Sequence, residues 1–212
     1  MELTMSNLKD NLGAKPGDIV VVDSEYNIPF FRFLLQKNYG EENDCTPTAI
    51  TSIISYLEGY ETSVPLVYKK VIKFAKKYLY RPSSGTPAVL TKSIFQKVAP
   101  AGKQVKAEYF KDCEYDFEEI KSQIDKNNPV LLLVFNDGMD YYTNHAVTII
   151  GYKVYKVNDK YKRFLKISDN WDIGPGFIDY DKMSSINCIY YLVDKKKSFI
   201  QTLLEFIANL FH

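Results

Sequence analysis

Apolar residues recur at helical spacing in the first half of the chain and in unbroken or alternating runs in the second. Between residues 44 and 59, Ile50, Ile53, Ile54 and Leu57 fall at i, i+3, i+4 and i+7, which predicts an amphipathic helix. Asp44 stands at its N-cap and Gly59 at its stop. Pro47 sits in the first turn, where a missing N–H costs no intrahelical bond. A second helix is predicted over 65–80, with Val67, Val71, Ile72, Ala75 and Leu79 inward, and RPSSGTP (81–87) breaks it. A third carries Leu90, Ile94, Phe95 and Val98, and a short fourth spans 116–126. Strands are predicted over 129–135, 145–155, 161–169 and 187–193, with shorter ones at 18–22 and 105–110. VNDK (157–160) reads as a hairpin turn. Helices first and antiparallel strands second predict an α+β fold. The division is an N-terminal arm over 1–30, one domain over 31–194, and an amphipathic helix over 195–212.

Charge and composition narrow the partners. Lys and Arg number 27 against 26 Asp and Glu, a net charge of +1, so no basic field exists to hold a phosphate backbone and nucleic acid is not expected. Three cysteines and two histidines lack metal-ligand spacing, so neither a disulfide framework nor a metal is expected, and no cofactor. The first ten residues carry no apolar h-region, which points to the cytoplasm; a leader already removed would point to secretion. The segment 198–211 presents eight large apolar residues against a polar face with Glu205 and no Lys or Arg. That composition favours docking on protein: its own domain, a second copy in a homo-oligomer, or a partner protein. Membrane contact through this helix, with Lys195, Lys196 and Lys197 at the headgroups, is the less favoured reading.

Three fragments carry candidate chemistry. Cys45 falls in the first turn of a helix, where unpaired N–H groups and the positive dipole end favour thiolate over thiol. Cys188 lies in an apolar strand and Cys113 in a charged loop. His145 opens a strand just after a loop, a place from which an imidazole at a sheet rim can face a helix N-terminus and act as a general base. Asp169 and Asn170 compete to orient it. Leu165, Ile167 and Asp169 share one face of their strand, apolar up to its last member, so parity favours Asp169; a twist or bulge hands the role to Asn170. The bland alternative for Asp169 is a turn-initiating residue before NWDIGPG.

The order Cys, His, Asp/Asn, with the segments NDCTPTAITSIISYLEG, NNPVLLLV, NHAVTIIGY and KISDNW, resembles the papain-like cysteine peptidase superfamily. The nearest branch is similar to the bacterial bacteriocin-leader (double-glycine) peptidase-like group, over about 36–193. The resemblance implies a papain-like α+β fold with Cys45 as nucleophile, His145 as base, Asp169 as orienter and Trp171 as a shield. It also implies peptide-bond hydrolysis through a thioester acyl-enzyme on a peptide or protein substrate. A same-fold amidase or acyltransferase, and an inactive module that binds a peptide or partner, are the alternatives. The chain departs from the family pattern twice. Thr46 replaces the Gly after the nucleophile, and Tyr39 holds the place of the oxyanion Gln. Gln36, Asn38 and Asn43 are within reach of that role, and Asn43 is nearest the helix start. Some relatives carry an inhibitory pro-segment, which is the second reading of 1–30.

Overall fold

The computed structural model describes residues 9–109, 113–135, 141–183 and 187–195. The amphipathic segment over 198–211 lies outside them, as do residues 1–8. Four helices are described, α1 (Cys45–Leu57), α2 (Val64–Lys77), α3 (Thr91–Val98) and α4 (Cys113–Ile124). The strands are β1 (Val20–Asn27), β2 (Lys103–Tyr109), β3 (Val130–Val134), β4 (His145–Val157), β5 (Lys160–Ser168), β6 (Gly176–Asp179) and β7 (Cys188–Asp194). They form one antiparallel sheet in the order β2-β7-β3-β4-β5-β6, with β1 paired to the far half of β4. This is the α+β, papain-like architecture that the resemblance implies.

The sheet is covered on both faces. Helices α1, α2 and α3 pack on one side with Leu131, Leu133, Ala146, Cys188 and Tyr190. Helix α4 packs on the other with Val130, Leu132, Val134, Val147 and Ile149. That explains why β3 reads as five consecutive apolar residues: alternate side chains enter different cores, and each is buried. Helix α1 lies between α2 and the sheet. Its non-apolar positions, Thr48, Thr51 and Ser52 among them, are therefore also buried. Thr51 and Ser52 return their hydroxyls to the carbonyls of Pro47 and Thr48, four residues back, so a helix this polar is buried with those groups satisfied.

Some expectations are corrected. Leu79, expected inward, is 58% exposed at φ 66°, because α2 ends two residues earlier and Tyr80 enters the core instead. Cys113, read as a loop residue, begins α4. Strand β6 follows a Gly- and Pro-rich loop and is only four residues long, too short for a periodic signal. The predicted hairpin turn is present at Asn158 and Asp159, with Asn158 at φ 53°. Of the N-terminal residues, β1 pairs with β4, and Leu12 is buried with Tyr155, Phe164 and Phe177.

Candidate active site

The sequence sets a buried helix start against a sheet rim. The N-terminus of α1 and the first residue of β4 meet at a cavity of about 540 Å³, lined by Cys45, His145, Trp171, Gln36 and the wall Ser83–Ala88, Pro87 excepted. No described residue lining it precedes Gln36, so β1 lies away from it. Ala146 faces the α1 side of the sheet, and its backbone amide favours the Cys45 thiolate. His145, at the strand's end, is 7% exposed, and its ring lies under the Trp171 indole with centroids 4.0 Å apart. Trp171 thus shields the imidazole itself.

The hydrogen bonds around His145 differ from the parity argument. Its Nε2 lies 2.6 Å from the backbone carbonyl of Asp169. A carbonyl only accepts, so Nε2 carries the proton and Nδ1 keeps a free lone pair. The Asp169 carboxylate is buried, as expected for an inward position, but accepts the N–H groups of Trp171 and Asp172 at 2.9 and 3.2 Å. It initiates the turn that the bland reading anticipated. Asn170 does not take its place. At φ 69° its Nδ2 donates to the Ala146 carbonyl at 3.0 Å, tying the end of β5 to the start of β4. Backbone, rather than either side chain, therefore contacts the imidazole.

Electrostatics also differ from the helix-terminus expectation. Burial pushes the Cys45 thiol up from its ordinary value, and the N–H groups of Ala146 and Thr46 only partly offset it. Burial pushes His145 down to about 4, against the opposing pull of the Asp169 carbonyl. At neutral pH the resting pair is a thiol and a neutral imidazole, and no hydrogen bond joins them among the described residues. Such a pair is suited to general-base activation during attack, not to a standing thiolate. Cys188 is fully buried in the core, as its strand predicted.

Asn43, favoured in sequence as oxyanion donor, is engaged elsewhere: its Nδ2 donates to the Pro82 carbonyl at 2.6 Å and pins the cleft wall. Tyr39 stacks on Tyr68 with centroids 4.1 Å apart. Gln36 lines the cavity, as Asn43 does, with Nε2 donating to Asp44 at 3.0 Å and its backbone N–H to the Asn170 carbonyl at 2.9 Å. The sequence signal for Gln36 was weak because it lies nine residues before Cys45, three more than the family spacing, and a 3-10 turn at Gln36–Asn38 takes up part of the difference. No group of three His, Cys, Asp or Glu side chains that could hold a metal ion occurs among the described residues. None of their helices is long and apolar enough to cross a membrane.

If the Asp169 carboxylate serves the turn, Asp169→Asn keeps an acceptor oxygen for both N–H groups and is expected to retain activity within about tenfold, by steady-state kinetics. Asp169→Ala, which frees the turn and the carbonyl it carries, is expected to lose much more. A loss of about 10⁴ in kcat for Asp169→Asn, as for a carboxylate bonded to a catalytic imidazole, would show that the side chain itself orients His145. No curated protein matches the chain. Residues 27–195 match the model of the Peptidase_C39 like family, from the end of β1 through β7. With most of the chain matched, and a cysteine and histidine set on one cavity of a papain-like fold, the chain belongs to the Peptidase_C39 like family.

Proposed function

We propose that the chain is a cysteine peptidase that hydrolyses peptide bonds, with Cys45 as nucleophile and His145 as general base. The observation that carries this reading is the shared cavity, in which a helix-start cysteine lies with an imidazole whose Nε2 proton is held by the Asp169 carbonyl. Nδ1 then takes the thiol proton as sulfur attacks the scissile carbonyl. The resulting imidazolium passes the proton to the leaving amine, and water later releases the acyl group from the thioester. Burial disfavours the charged intermediates, and Trp171 and the Asp169 carbonyl are the groups placed to stabilise the imidazolium. Gln36 and the backbone N–H of Cys45 are the oxyanion donors in this reading, and Asn43 holds the wall.

Incubation of the full chain with a peptide library, with and without an added amine acceptor, tests it by mass spectrometry. Hydrolysed products support the peptidase, and amide products made only with the amine indicate an acyltransferase. Gln36→Ala is expected to lower kcat about 10²- to 10³-fold with little change in KM, as loss of an oxyanion donor does. Asn43→Ala is expected to act mainly on KM. The reverse pattern would return the oxyanion role to Asn43. The neutral thiol–imidazole pair favours a second reading, a peptide-binding module. In that case a peptidyl aldehyde forms no hemithioacetal at Cys45.

A further inference from the structure

We propose that Asp44 is a positioning residue that holds the Gln36 amide for the oxyanion, an inference that rests on the peptidase reading above. Asp44 is fully buried immediately before the nucleophile. At an N-cap, a carboxylate ordinarily accepts the first-turn N–H groups of its helix. This one makes no such bond. Its Oδ1 accepts Gln36 Nε2 at 3.0 Å, and its Oδ2 accepts Thr48 Oγ1 at 3.1 Å and the Tyr68 hydroxyl at 2.5 Å.

Two consequences follow for the cleft. A carboxylate only accepts, so it fixes which end of the Gln36 amide is nitrogen. One Nε2 hydrogen is spent on Asp44, and the second remains for a substrate oxygen. The Gln36 carbonyl oxygen is buried and has no partner among the described residues, which leaves Asp44 as the side chain that sets the amide's orientation. Meanwhile, the first-turn N–H groups of α1 stay uncapped by that side chain beside the cavity, where an oxyanion would need them. Thr48, one turn into α1, and Tyr68, stacked on Tyr39, hold the carboxylate from behind.

The test uses the full chain with two probes of Cys45. A peptidyl aldehyde forms a hemithioacetal that places an oxygen in the oxyanion position; iodoacetamide alkylates the same sulfur with no oxyanion, and peptide mapping reads that site alone. Asp44→Ala is expected to weaken aldehyde affinity by about 30-fold or more while alkylation changes by less than about threefold. In a Gln36→Ala background, Asp44→Ala is expected to cost little further, the non-additivity of residues acting through one another. Asp44→Asn, which keeps one acceptor oxygen for Gln36, serves if the alanine variant does not fold. Its smaller aldehyde loss, about fivefold, should likewise vanish in the Gln36→Ala background. Additive losses in either cycle, or a parallel fall in alkylation, would overturn the positioning role. A wild-type chain that forms no aldehyde adduct would instead overturn the peptidase reading on which it stands.

Discussion

Cys45→Ala is expected to abolish both peptide turnover and adduct formation with a peptidyl aldehyde, a loss of at least about 10⁴ in kcat. The reason is positional. Among the described side chains, Cys45 is the cysteine that lines the cavity, while Cys188 is enclosed between β7 and the helices. Cys188→Ala is therefore expected to leave adduct formation intact and to lower stability by about 1–2 kcal/mol, since it removes a buried atom from a packed core. Cys113 begins α4, so a helix start alone does not single out Cys45; the cavity that Cys45 shares with His145 carries the assignment. Cys113→Ala is expected to leave the adduct unchanged. Intact-mass measurement of the three variants with the aldehyde under native conditions checks this. Loss of the adduct in Cys113→Ala or Cys188→Ala, with retention in Cys45→Ala, would reassign the nucleophile.

His145→Ala is expected to lower kcat by about 10³–10⁴, near the upper end for a general base, and the pH dependence carries the sharper information. Because burial pushes His145 down to about 4, the imidazole is free to accept a proton at every pH above that value. The acid limb of kcat/KM for the free enzyme is therefore expected near 4 to 5, below the ordinary histidine range. The raised thiol predicts that Cys45 alkylation climbs about tenfold per pH unit between 6 and 8. A flat rate across that range would indicate a standing thiolate–imidazolium pair.

The same shift has a stability consequence. Between pH 6.5 and about 4 the unfolded chain binds a proton at His145 that the folded chain does not, so stability falls as pH drops through that window. The loss amounts to roughly 3 kcal/mol. The Asp169 carboxyl, raised by burial, acts in the opposite sense: its contribution is present below its unfolded value and lost as pH rises through the folded one. Denaturant unfolding of wild type and His145→Gln at pH 7, 5.5 and 4 separates the two, since only the histidine contribution disappears in the variant. Parallel pH curves for the two proteins would mean that His145 is not buried in solution.

Periodicity and composition by themselves determined much of this protein. The apolar stripe of α1, the unbroken run of β3, the hairpin at Asn158 and the order of cysteine, histidine and Asp-Asn are properties of local sequence. Local sequence dictates local backbone through side-chain period and turn chemistry. The start of β4 at His145 and the end of β5 beside Asp169 followed from the same reasoning. What only the tertiary structure decided is which atoms of those residues meet. Strand parity put Asp169 inward correctly, yet it is silent on whether a carboxylate or a carbonyl touches the imidazole. The left-handed backbone at Asn170 and the turn N–H groups made that choice. The helix dipole argued for a lowered thiol pKa, but desolvation between α1 and the sheet outweighs it, and burial depth is a property of the packed whole. Gln36 and Asp44 were likewise hidden, because a cap position predicts N–H acceptance and a family spacing predicts Tyr39. Only the folded loop brings an amide nine residues upstream onto a carboxylate that caps none of its helix's first-turn N–H groups.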